Sequence, residues 1–237
     1  AAAAGTPLSY MGQSWSKPTL GFVRWNGERR LVMFVGGGYD EGYENRTYDQ
    51  TNGKGAGVYM FDAHNGELLW WGSSHATGAT TGSTQSTNNS SLKYSVASNI
   101  ATYDRNNDGL VDHLLFGDLG GQVFRVDLDN NYNYAAGKKL ATRIVRMYNG
   151  HKTGGLSPRF YETPSLSAHS GIGAEGQFGI ISIASGNRSS PLAEGADSAQ
   201  DALFVLYDHD ILRSGIVQES ATPYVTDNAT DNLVVNT

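Results

Sequence analysis

The chain of 237 residues has no cysteine, which excludes disulfides, thiol nucleophiles and thiolate metal sites. The redox compartment stays open, because an extracellular protein can do without cystines. No apolar run approaches the roughly 20 residues of a membrane-spanning helix, and no signal peptide is visible. No stretch keeps a 3.6-residue apolar period, so no helix of consequence is expected. A net charge of only −6 gives no reason to expect nucleic acid or an acidic membrane surface as a partner. The six histidines show neither H-x-H nor H-E-x-x-H spacing, which argues against a zinc-type site. No G-x-S-x-G elbow occurs, and Gly36, Gly37 and Gly38 open no helix that could cradle a phosphate.

What is present points to β structure. Thirty glycines, thirteen tyrosines and four tryptophans, against six prolines, predict an all-β protein with many tight turns. Short apolar runs recur in groups of four. The first group is Pro18–Val23, Arg30–Val35, Gly57–Asp62 and Glu67–Trp71. The second is Ser95–Ile100, His113–Phe116, Gln122–Asp127 and Thr142–Met147, and the third is Pro164–Ser167, Phe178–Ile183 and Ala202–Asp208 with a fourth member near Ile216–Ser220. A repeated four-strand unit predicts β-propeller blades, with units near 15–75, 92–150 and 160–220. Three blades cannot close a ring of four to eight, so the chain is expected to be part of a larger propeller whose other blades lie upstream. A β-sandwich is the architectural alternative.

Two polar inserts interrupt the units, at 40–57 and 72–91. Neither can bury enough apolar surface to fold alone. The tyrosines of the first, with Asn45 and Arg46, make it a candidate contact surface; the second reads as a surface loop. The segment Asp62-x-x-Asn65-Gly66-x-x-x-Trp70 predicts a tight hairpin whose tryptophan returns to pack between blades, similar to the tryptophan-docking blades of quinoproteins.

The most specific motif is Asp104–Asp112, which reads D-x-N-x-D-G-x-x-D. Oxygen-bearing side chains at positions 1, 3, 5 and 9, with glycine at 6, suit the oxygen-rich shell of Ca²⁺. On this reading Asp104, Asn106 and Asp108 supply side-chain oxygens, Leu110 its carbonyl, and Asp112 closes the site directly or through water. An EF-hand needs glutamate at position 12 and helical flanks; here position 12 is Leu115 and the flanks are strand-like. A calcium loop between strands is expected.

The order of Gly12–Pro18, Leu31–Tyr39, Gly57–Asp62, the acidic loop and Phe116–Leu128 resembles the C-terminal β-propeller of the PilC/PilY family of type IV pilus tip-associated proteins. The resemblance implies a secreted bacterial protein at the cell surface and pilus tip, associated with the outer membrane. It implies roles in pilus assembly and surface adhesion, without catalysis. It implies minor pilins and a host or abiotic surface as partners, and an N-terminal adhesive part beyond this chain. In that family the calcium loop modulates pilus extension against retraction, a role that falls here on Asp104, Asn106, Asp108, Leu110 and Asp112. A quinoprotein dehydrogenase fragment is the alternative reading, since it also combines blades, tryptophan motifs and calcium.

Overall fold

The computed structural model describes residues 2–76, 84–154, 156–171, 176–191, 201–223 and 233–236. Among them the chain is all-β, arranged as three sheets, with three short 3-10 turns (Pro7–Tyr10, Glu41–Glu44 and Tyr134–Ala136) and no α-helix. Among the described residues no helix is long and apolar enough to cross a membrane.

The first sheet runs in chain order through β1 (Thr19–Trp25), β2 (Glu28–Gly36), β3 (Val58–Asp62), β4 (Leu68–Ser73) and β5 (Gln85–Asn88). Its first four strands are antiparallel, and β5 joins β4 in parallel. The β1–β2 turn is the dipeptide Asn26-Gly27, both residues at positive φ (50° and 87°), which is the tight turn that matches strand twist. The second sheet holds β6 (Ala101–Tyr103), β7 (His113–Gly117), β8 (Gln122–Leu128) and β9 (Ala141–Asn149), and the third β10 (Ser165–Ser170), β11 (Gln177–Ala184), β12 (Leu203–Asp208) and β13 (Leu233–Asn236). Both are antiparallel meanders.

Period-two alternation explains how the sheets pack. Leu114 and Phe116 of β7 enter one core with Val23, Trp25, Phe34, Met60 and Trp70 of the first sheet. Leu115 between them enters the other core, with Ile181, Ile183, Phe204 and Leu206 of the third. The middle sheet is therefore covered on both faces, and β7 and β8 are buried along their whole length. That two-sided burial is why they read as continuous apolar runs rather than as alternating ones.

Three expectations need correction. Ser95–Ile100 is not a strand; β6 begins at Ala101. The backbone of Ser95 and Val96 bonds to neighbouring connections instead: Val96 N donates to Gly55 O, Gly38 N to Val96 O, and Leu119 N to Ser95 O. The fourth strand of the third sheet is Leu233–Asn236, and Ile216–Ser220 forms turns. The second polar insert contributes β5, while its residues 77–83 lie outside the described residues.

Candidate metal centre

The acidic loop joins β6 to β7 at one end of the second sheet. Its fold is set by side-chain oxygens that accept from its own backbone. Asp104 accepts from Asp108 N (3.2 Å) and Gly109 N (2.7 Å), Asn106 Oδ1 from Asp108 N (3.1 Å), and Asp108 Oδ1 from Leu110 N (2.9 Å). These bonds curl the backbone round the acidic side chains. Asn107 (φ 60°) and Gly109 (φ 81°) take the left-handed conformations the curl requires. Asn106 Nδ2 also donates to Asp108 Oδ2 at 3.2 Å.

Asp112 differs from the other two carboxylates. It is buried, and accepts from Arg105 N (3.0 Å) and Asn130 Nδ2 (3.4 Å), whereas Asp108 is exposed and Asp104 half-buried. Burial raises the Asp112 carboxyl above its usual range, against the pull of the Arg105 amide. Leu110 is buried and sits between these groups in sequence. The structure thus draws Asp104, Asn106 and Asp108 into one hydrogen-bonded curl, with Asp112 at its root. Among the described residues, no three His, Cys, Asp or Glu side chains converge on one point as a metal would gather them. The donor set is oxygen throughout, which fits a hard cation and no thiophilic one.

Two neighbours of the loop were not legible in the motif. Asn130, after β8, donates to Val111 O (2.9 Å) as well as to Asp112, and accepts from Arg24 N (2.9 Å), so it ties the loop to the first sheet. Arg29 lies over the Phe22 ring at 3.8 Å, and a Cβ placed on Gly109 would stand 3.4 Å from its guanidinium. A fixed positive charge therefore borders the acidic loop.

No protein-family profile matches the chain, and no curated protein sequence does. A solved structure is similar to it. That structure is the C-terminal domain of PilY1 from Pseudomonas aeruginosa, at 19% identity and a TM-score of 0.49, covering 90% of this chain. The chain spans 40% of that structure's length. At this identity and TM-score the likeness carries no residue's role across to this chain.

The first polar insert is folded by its own polar groups. Asp40 accepts from Gly42 N (3.2 Å), Tyr48 Oη (2.8 Å) and Asn52 Nδ2 (3.0 Å), and Tyr43 is buried against the edge of Tyr48. Arg159, buried and stacked on Tyr43, donates to the carbonyls of Tyr43 (2.6 Å), Asn45 (2.7 Å) and Arg46 (3.1 Å) and to Asn187 Oδ1 (3.2 Å). One guanidinium thus fixes the insert to the β11–β12 connection. A second arginine joins the sheets deeper down. Arg125 of β8, fully buried, binds Asp127 (Nε, 2.8 Å) and Asp208 of β12, with Asp210 at 3.9 Å. Asp127 also meets His113 Nδ1 at 2.9 Å. Burial alone would raise the Asp127 carboxyl, yet the adjoining Arg125 and His113 hold it well below its usual range.

The Asp62–Trp70 hairpin closes as its sequence predicts. Asp62 accepts from His64 N (2.8 Å), Gly66 takes φ 76°, and Trp70 is buried in the core shared with the second sheet, its Nε1 donating to Thr87 Oγ1 (3.0 Å).

Proposed function

We propose that this chain is the calcium-binding propeller portion of a bacterial type IV pilus tip-associated protein. In this reading it is non-catalytic and serves pilus assembly, the balance of extension against retraction, and surface adhesion. The observation that carries the reading is the Asp104–Asp112 loop: an oxygen-only donor set in nine residues, placed between two strands and curled through Gly109. Asp104, Asn106, Asp108, the Leu110 carbonyl and Asp112 would hold Ca²⁺, and the ion would draw together three carboxylates that lie within nine residues of one another in sequence.

The family-like segments support the pilus context. Gly12–Pro18 precedes β1 and bridges to Tyr39 through Gln13, and Phe116–Leu128 forms β7, β8 and the turn between them. Three successive sheets packed face to face support the propeller reading. So do the apolar side chains on the outward faces of the two end sheets, where Leu20 is 58% and Leu203 49% exposed. Further blades of the same protein would cover them. Minor pilins and a host or abiotic surface are the partners in this reading, and the outer-membrane-associated cell surface and pilus tip its location.

The test is genetic. Bacteria carrying Asp108→Ala in the full-length protein are expected to lose normal piliation and twitching while the protein is still made and exported. Normal piliation and twitching in that strain contradict the regulatory role. The buried Trp70 hairpin favours one second reading, a quinoprotein dehydrogenase fragment. Pyrroloquinoline quinone added with Ca²⁺ would then give an absorbance change and alcohol oxidation; neither is expected here.

A further inference from the structure

We propose that the end of the sheets away from the acidic loop carries a saccharide-binding plate centred on Trp15. Three of the four tryptophans, Trp25, Trp70 and Trp71, are buried, whereas Trp15 is 43% exposed. An exposed indole on a loose segment would signify little. This one is held. Its neighbour Gln13 exchanges backbone hydrogen bonds with Tyr39 (2.9 and 2.8 Å), and Ser16 Oγ accepts from Gly36 N (3.0 Å). The indole stacks on Tyr39 at 4.1 Å and 6°, and Tyr161 leans against it at 6.0 Å and 34°. Tyr39 rests in turn on Tyr43, which Arg159 anchors.

Beneath the plate a line of hydroxyls, two of them on the buried Tyr39 and Tyr161, holds it in place. Tyr161 Oη lies 2.8 Å from Ser189 Oγ, which lies 2.9 Å from Tyr39 Oη, and Tyr39 donates to Glu44 Oε1 at 2.9 Å. The only consistent proton order is Tyr161 to Ser189 to Tyr39 to Glu44, since the carboxylate can only accept. The four groups come from the β2–β3 connection, the segment before β10 and the β11–β12 connection, while Trp15 comes from the segment before β1. Glu44, Gln13 and Ser14 are exposed around the plate.

A rigid aromatic surface bordered by the exposed hydroxyl of Ser14, amide of Gln13 and carboxylate of Glu44 suits a ligand with an apolar face and a polar edge. A pyranose has that shape: its ring C–H groups form a flat apolar face, and its equatorial hydroxyls both donate and accept. A purely apolar partner would cover the exposed Gln13 and Ser14 side chains without offering them a hydrogen bond. An anion would meet Glu44 on a chain of net charge −6. The occupant is therefore a neutral saccharide. The inference deepens the adhesive part of the proposed function and rests on it for its biological setting alone. β7 separates the two sites: it runs from the acidic loop at one end to Gly117, whose carbonyl accepts from Ser98 Oγ (2.9 Å) close to Gly36, at the other.

The test is a titration of intrinsic tryptophan fluorescence with lactose, cellotriose, maltotriose and N,N′-diacetylchitobiose, followed by the same sugars immobilised on beads. At least one sugar is expected to shift the emission of the wild-type chain and to retain it on beads. Trp15→Ala is expected to weaken retention about tenfold or more and Trp15→Phe less, as a truncated against a retained aromatic face predicts. If Trp15→Ala does not fold, as judged by circular dichroism, Glu44→Gln with Ser189→Ala carries the same expectation. Asp108→Ala is expected to bind sugar as the wild type does, so failure here and failure of the calcium reading are distinguishable. No response to any of the four sugars, or equal binding by all the Trp15 and rim variants, overturns the proposal.

Discussion

At the scale of single residues, charge placement decides the behaviour of the acidic loop. Arg29 is exposed and stands beside Gly109, so its repulsion of a bound cation is screened and modest, about 0.5–1 kcal/mol. Arg29→Gln is expected to tighten calcium binding roughly two- to fivefold at low salt, and less in high salt, as read by titration calorimetry. Asp118 is the second residue with a testable charge. It is fully buried, accepts from Gln122 N (2.8 Å) and Gln122 Nε2 (2.9 Å), and burial pushes its carboxyl up to about 7. Between its ordinary value near 4 and that value, the folded chain keeps a proton that the unfolded chain releases. Its stabilising contribution is therefore complete below about pH 4 and lost as pH rises through about 7. Urea unfolding at pH 4.5 and 7.5 is expected to show this fall in the wild type. Asp118→Asn, which cannot titrate, removes that part of the slope whatever its overall stability.

At the scale of elements, most strands were legible, and β5, β6 and β13 were not. Runs such as Gln122–Asp127 carry their signal locally, in β-forming residues bounded by glycine and aspartate, and they form β8 with one residue more. Ser95–Ile100 carries a similar signal, but its hydrogen bonds go to loops distant in sequence, and nothing local encodes that. The curl of the acidic loop was legible because its spacing is its geometry. Asn130 and Arg29 were not, because only the register of neighbouring strands brings them to it. Arg125 was likewise hidden: its sequence neighbours are apolar, and its carboxylate Asp208 lies 83 residues away in another sheet. Removing it would leave Asp208 buried without its counter-charge, while Asp127 would keep only His113 and, at the edge of the cluster, Arg143 (3.3 Å), and Asp210 would keep Arg213 (3.3 Å). Arg125→Ala is expected to cost on the order of 3–5 kcal/mol, measured by urea unfolding. A loss under about 1 kcal/mol would show that these carboxylates find other partners.

At the scale of the whole molecule, three stacked sheets have two outer faces with apolar side chains on them. Leu20, Phe22 and Leu31 project from β1 and β2 on the face opposite the core, and Leu203 from β12. Such a surface on a free chain binds hydrophobic dyes or itself. The isolated chain is expected to enhance anilinonaphthalene sulfonate fluorescence and to self-associate in light scattering. Leu20→Glu with Leu31→Glu is expected to reduce both without lowering the unfolding midpoint.

The measurement that tests the central claim most directly is titration calorimetry of the chain with Ca²⁺ at millimolar concentration, where extracellular sites are typically filled. The account predicts one Ca²⁺ bound per chain, with the binding heat lost in Asp108→Ala. No binding heat at any concentration up to several millimolar, or an isotherm unchanged in Asp108→Ala, would contradict it.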